Sequence, residues 1–152
     1  MKEATIKQAN KYIFSLIGYG GRTPLYVLTQ DSCSEISRLL GLWLRKKSSK
    51  AKIYIYKGKA RGRSHDLLLV QENKIYVIDP TVWQFSPNKK SILILREDPI
   101  EDALTALSRY YGEKWKLSEN VRGCSSREIK KLENTIKENI AYIVPRDRIE
   151  LT

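Results

Sequence analysis

The segment from His65 to Asp79 constrains this chain more than any other. Two apolar runs, Leu67-Leu68-Leu69-Val70 and Ile75-Tyr76-Val77-Ile78, flank the polar break Glu72-Asn73-Lys74. Such runs predict a β-hairpin whose strands are long and apolar enough to be buried. Antiparallel pairing about that turn sets residues whose numbers sum to about 145 opposite one another. His65 and Asp79 then meet at the open end of the hairpin, within one residue of direct register, where same-face side chains lie ~5 Å apart. Pro80, lacking an N–H for the ladder, ends the second strand.

A second stretch supplies a group that could use this pair. In Gln30-Asp31-Ser32-Cys33-Ser34-Glu35, Ser32 followed three residues later by Glu35 reads as a capping box opening a helix. Behind it Ile36, Leu39, Leu40, Trp43 and Leu44 recur at spacings of three and four, so one face is buried. Cys33 thus falls in the first helical turn, where unpaired backbone N–H groups and the positive end of the helix dipole favour a thiolate.

The remainder fills in around these two pieces. Ala4 to Ile17 fits an amphipathic helix ended by Gly18-Tyr19-Gly20-Gly21, and Pro24 to Thr29 leads into the cysteine helix, which stops in the Lys46–Lys50 run. Ile53-Tyr54-Ile55-Tyr56 reads as a strand, and Lys57 to Ser64 as a flexible basic loop ending at His65. Ser91 to Leu95 is a further strand candidate, and Pro99 to Tyr111 a helix. Ser125-x-x-Glu128 is a second capping box, opening a helix with Ile129, Leu132, Ile136 and Ile140 on one face. The tail from Pro145 to Thr152 reads as surface. This order predicts an α+β fold in one domain of 152 residues, N-terminal helices on a small antiparallel sheet and helices after it.

Composition narrows the chemistry. One His and two Cys fall short of an ordinary zinc site, and no carboxylate loop suits calcium, so neither metal nor other cofactor is expected. Cys33 and Cys124 read as reduced, Cys124 as structural. Net charge is +11, which fits either an acidic partner or simply a solvated basic surface. The first residues lack the apolar core of a signal peptide, and no stretch approaches the ~20 apolar residues of a membrane span, so the chain reads as soluble.

Cys33, His65 and Asp79 divide a familiar labour. A thiol with an ordinary pKa near 8.5 is mostly protonated at neutral pH; a histidine in reach takes its proton and later returns it to a leaving amine. The aspartate accepts from the other ring nitrogen and fixes the tautomer. Asp66 is a rival partner, but strand neighbours point to opposite faces, and Asp79 is preferred. The backbone N–H of Cys33, with Gln30 as side-chain candidate, would face an oxyanion. Singly, each of the three residues has a bland structural reading; their joint placement makes the case.

The order Cys, His, Asp, with the nucleophile opening a helix and SHDLLLVQENKIYVIDPTVWQF carrying the other two, resembles the papain-like fold. Within it the chain is most similar to the papain-fold toxin domains at the ends of bacterial polymorphic and contact-dependent toxins, over about residues 30–85. The resemblance implies a cysteine hydrolase that cleaves a peptide bond or deamidates glutamine in a protein of the target-cell cytoplasm. It also implies a cognate immunity protein, for which an acidic one would suit the basic surface. Papain itself has a glutamine several residues before the cysteine, whereas Val27 stands six before Cys33 here, which leaves the oxyanion donor open.

Two alternatives stand beside this. In one, the basic residues Lys57, Lys59, Arg61 and Arg63, with Tyr54 and Tyr56 for stacking, bind RNA, which His65 helps to cleave without metal. In the other, the domain is a binding module without catalysis.

Overall fold

The computed structural model describes residues 1–123 and 125–143. Cys124 and the tail from Pro145 to Thr152, whose roles were read above, lie outside them. Five helices and five strands follow in the order α1 (Glu3–Ile17), α2 (Leu25–Leu28), α3 (Cys33–Lys47), β1 (Lys52–Ala60), β2 (Arg63–Glu72), β3 (Lys74–Ile78), β4 (Leu93–Glu97), α4 (Ile100–Tyr111), β5 (Lys116–Asn120) and α5 (Ser126–Ile143), with a 3-10 turn at Val82–Gln84 between β3 and β4. The strands form one antiparallel sheet in the order β4-β3-β2-β1-β5. The fold is α+β, as the sequence predicts.

The continuous apolar runs of the hairpin follow from helices covering both faces of the sheet. Leu68 and Val70 of β2, with Tyr76 and Ile78 of β3, share a core with α1, α3 and α5. Their neighbours Leu67, Leu69, Ile75 and Val77 share the other core with Ala103, Leu107 and Tyr111 of α4. Each strand therefore needs apolar residues at both parities, and simple alternation disappears. On the three-helix face α3 lies close to the sheet at Gly41, where an added Cβ would come within 3.2 Å of the Val121 side chain and 3.4 Å of Leu68. A helical glycine costs about 1 kcal/mol relative to alanine, so close packing is what offsets it here.

Three local expectations are corrected. The Lys57–Ser64 segment is not a flexible loop: β1 runs on to Ala60, and Arg61-Gly62, both at positive φ (50° and 82°), turn directly into β2. Two residues of that conformation make the turn whose twist suits adjoining strands. Next, β2 and β3 pair with numbers summing to 146, from Glu72 opposite Lys74 to Leu68 opposite Ile78, because Asn73 alone, at φ 66°, makes the turn. Finally, Ser32 precedes α3 without a side-chain capping bond; its Oγ donates to the Gln30 carbonyl (3.4 Å) and accepts from Asn139 Nδ2 of α5 (2.7 Å). The second capping site does form half its box: the Glu128 N–H donates to Ser125 Oγ at 3.3 Å, while the Glu128 carboxylate turns to Arg38 of α3.

Candidate active site

The site lies where β3 leaves the sheet. β2 pairs with β1 from Arg63 to Gln71 but with β3 only from Leu68 to Glu72. Between Arg63 and Leu67, then, β2 carries a strand on one side only. His65 opens onto this notch, and the chain leaving β3 crosses it as Asp79-Pro80-Thr81. Extending the register puts Asp79 opposite Leu67, so His65 and Asp79 are diagonal neighbours on one face rather than a direct pair. Diagonal positions remain within reach of long side chains. Here the His65 Nε2 lies 2.7 Å from Asp79 Oδ2.

Asp79 is completely buried, and every contact its carboxylate makes is a donor. Oδ1 accepts from the Thr81 N–H at 3.0 Å and from Thr81 Oγ1 at 3.3 Å. Oδ2 accepts from His65 and also from the hydroxyl of Tyr111 at the end of α4. A buried carboxylate is tolerable on such terms, since each lone pair lost from water finds a replacement. The backbone is tied too: Asp79 N–H donates to the Ile92 carbonyl at 2.8 Å.

His65 is 2 % exposed. Burial alone would lower its pKa, but the hydrogen bond to Asp79, then hydrogen bonding with Cys33, then the charges of the same two groups, together lift it to about 9. The imidazole is therefore held as imidazolium at neutral pH. With Nε2 committed to Asp79, Nδ1 is the nitrogen left for the thiol. Cys33, half-buried at the first position of α3, reaches the ring from the three-helix face of the sheet. Ser37, one turn further along, fixes the approach of that helix by donating from Oγ to the Asp66 carbonyl at 3.1 Å. The structure thus brings together the three residues picked from the sequence.

Aromatic rings wall the imidazole. Phe85, Tyr111 and Trp115 stand edge-on to it at centroid distances of 4.7, 5.6 and 6.1 Å. None of the three was singled out for the site from sequence. Tyr111 already carried a signal as the last apolar position of the α4 periodicity, whereas Phe85 and Trp115 lie in segments without a pattern. Gly58 is part of the same wall. It faces His65 across the β1–β2 pair, and a Cβ there would sit 2.6 Å from the Trp115 ring.

Other sequence candidates fall elsewhere. Gln30 is exposed in the turn before α3, its carbonyl accepting from Asn139 Nδ2 at 3.2 Å; among the described residues its side-chain amide makes no hydrogen bond. The glutamine that does brace this turn is Gln84, whose Nε2 donates to the Tyr26 carbonyl (2.5 Å) and Thr29 Oγ1 (2.8 Å). Asp66 pairs loosely with Lys57, at 3.9 Å. The four basic residues do not form one patch. Lys57 and Lys59 lie on the sheet face opposite His65, while Arg63 projects on the His65 side with its guanidinium 5.8 Å from the Phe85 ring. Arg61 braces the wall, donating from Nη1 to the Phe85 carbonyl (2.8 Å) and from its backbone N–H to the Tyr111 carbonyl (3.0 Å). Tyr56, read as a stacking residue, is buried in the α4-side core.

Among the described residues no three His, Cys, Asp or Glu side chains gather as a metal site would require, and no helix is long and apolar enough to cross a membrane. No protein-family model matches the chain, and neither a curated protein nor a solved structure matches it.

Proposed function

We propose that this domain is a cysteine hydrolase of papain-like type, acting on an amide in a target protein as the effector domain of a bacterial toxin. The observation that carries the reading is the buried His65, bonded through Nε2 to Asp79 with Cys33 close enough to help raise its pKa. In this reading the Cys33 thiolate attacks the carbonyl carbon of a peptide bond or of a glutamine side chain. The oxyanion that forms faces the backbone N–H groups at the start of α3, which have no acceptor inside the helix. Collapse of the tetrahedral species breaks the C–N bond. His65 Nδ1–H protonates the departing amine or ammonia, leaving a thioester on Cys33. Water then attacks the thioester, His65 takes its proton, and the acid is released with the thiolate restored. Asp79 keeps the imidazole in place through both transfers.

The ribonuclease alternative gains little from the arrangement, since Lys57 and Lys59 lie across the sheet from His65 and Arg61 is engaged in the wall. A cognate partner of acidic character fits the net charge of +11 and belongs to the same proposal.

The test is the rate of Cys33 alkylation by iodoacetamide as a function of pH, with Cys124 replaced throughout. A fast rate persisting well below pH 8 and abolished in His65→Ala supports the thiolate–imidazolium pair. A slow rate that rises only near pH 8.5 and ignores His65 overturns it.

A further inference from the structure

Asp79 Oδ2 is shared. It accepts from His65 Nε2 and, from the wall of the imidazole itself, from the Tyr111 hydroxyl, while Oδ1 is separately engaged by Thr81. Two donors on Oδ1 are already enough to fix the carboxylate's rotation. A second donor on the oxygen that faces the histidine has another consequence, because it draws charge density from the atom that holds the His65 proton. We infer that Tyr111 is a positioning residue of the triad, a fourth member that moderates how tightly the Asp79–His65 pair holds its proton and so lets His65 pass that proton to the leaving group.

This inference rests on the hydrolase reading and adds to it. Tyr111 is suited to the role because burial, then the neighbouring Asp79 charge, raises its pKa, so the phenol stays protonated and remains a donor. Its ring is only 3 % exposed and packs against Phe85 and Trp115, so its hydroxyl is held where it is. The titratable and charged groups around the pair are Cys33 from α3, Tyr111 and the adjacent Tyr110 from α4, Arg61 from the β1–β2 turn, and Arg63 of β2, whose guanidinium lies over the Phe85 ring.

The sign follows from comparing the two protonation states. When His65 is neutral, the Asp79 charge is uncompensated and the bond from Tyr111 is strong. When His65 is an imidazolium, that charge is already partly neutralised and the bond is weaker. Removing the hydroxyl therefore destabilises the deprotonated pair more than the protonated one, and the pair holds its proton harder.

His65 is the sole histidine of the chain, so its imidazole resonances in a tag-free protein need no assignment. The experiment is an NMR pH titration of those resonances in the parent, Tyr111→Phe and Asp79→Asn, with Cys33 alkylation rates measured alongside. The expected result is an apparent His65 pKa about one unit higher in Tyr111→Phe, a tenfold tighter hold on the proton. A purely structural Tyr111 would lower stability without moving the titration, and an unshifted pKa in folded Tyr111→Phe overturns the inference while leaving the triad intact. A parent His65 titrating near 6.5 and indifferent to Asp79→Asn overturns the hydrolase reading instead. Should Tyr111→Phe fail to fold, the parent decides: two donors on one oxygen bring the Tyr111 hydroxyl proton and the His65 Nε2 proton within nuclear Overhauser range, and absence of that cross-peak refutes the shared acceptor.

Discussion

Gly58→Ala probes the wall of the active site with one methyl group. The added carbon would lie 2.6 Å from Trp115 Cδ2 and under 3.0 Å from two further ring atoms. Ordinary contact begins near 3.4 Å, so the indole must retreat by about 0.8 Å or the β1–β2 pair must part. The indole has little room, because Trp115 packs against His65 and Tyr111 and its Nε1 donates to the Gly112 carbonyl at 3.2 Å. Overpacking of this kind costs about 1–3 kcal/mol, set against the few tenths that alanine should gain over glycine in an extended strand. Urea unfolding should therefore show a net loss of about 1–2 kcal/mol. Because the displaced ring touches His65, Cys33 alkylation at pH 6 should slow several-fold in the same variant. Shrinking the indole should relieve the clash, so that Gly58→Ala costs less in a Trp115→Leu background than in the parent, a coupling that a double-mutant cycle reads directly. A Gly58→Ala protein with unchanged unfolding midpoint and unchanged alkylation would refute the close approach of β1 and Trp115.

Three further outcomes are expected. Asp79→Asn removes the charge that opposes the burial penalty on His65, so its pKa should fall from about 9 to 6.5 or below, and Cys33 alkylation at pH 6 should drop roughly tenfold or more. Stability should depend on pH through His65 with a definite sign: the folded imidazole keeps its proton up to about pH 9 and the unfolded one only to about 6.5, so its contribution is complete below 6.5 and lost as pH rises to 9. In a Cys33→Ser background, which keeps the thiol's own titration out and leaves only the share of the lift that Asp79 supplies, the excess stability over Cys33→Ser/His65→Gln should still shrink as pH rises from about 6 to about 9.5, as urea titrations at both pH values would measure. Arg61→Ala should lower stability by about 1 kcal/mol through its lost bond to the Phe85 carbonyl, whereas Lys59→Ala should be neutral within about 0.5; equal losses of RNA binding in both, with stability intact, would favour nucleic-acid recognition.

What the sequence made legible, and what it hid, divides along a physical line. Burial leaves a pattern: the α1, α3 and α5 periodicities, the doubly buried hairpin and the placement of His65 near Asp79 were all readable, because each rests on which side chains leave water. Contacts that need no apolar pattern were hidden. Lys116-Leu117-Ser118-Glu119-Asn120 is an edge strand, mostly exposed, and its mixed polar residues suit an unpaired edge rather than a core. Lys57-Gly58-Lys59-Ala60 looks like a loop because one side of β1 there carries solvated lysines while the other must stay small beneath Trp115. The Ser32 capping box failed for a long-range reason, since Asn139, 107 residues away, claims the hydroxyl. The expected pairing sum of about 145 falls one short of the observed 146, and a one-residue slip exchanges the faces of a strand, so it is the observed register, set by the one-residue turn at Asn73, that brings His65 and Asp79 to one face.

The site exists at the end of a strand rather than inside the sheet because the β2–β3 pairing stops at Ile78. Had β3 continued past Ile78, its backbone would have filled the space beside His65, and α3 could not have approached the imidazole from the three-helix face. Pro80, unable to donate to a ladder, ends the pairing at the position where the carboxylate is needed. The Thr81 N–H and hydroxyl, freed from any strand, turn back to hold Asp79 Oδ1. The dipeptide Asp79-Pro80 therefore does two things at once: it delivers the acceptor for Nε2 and leaves β2 unpaired on one side at His65. The hairpin that organises the core and the triad that gives the domain its proposed chemistry are set by the same strand end.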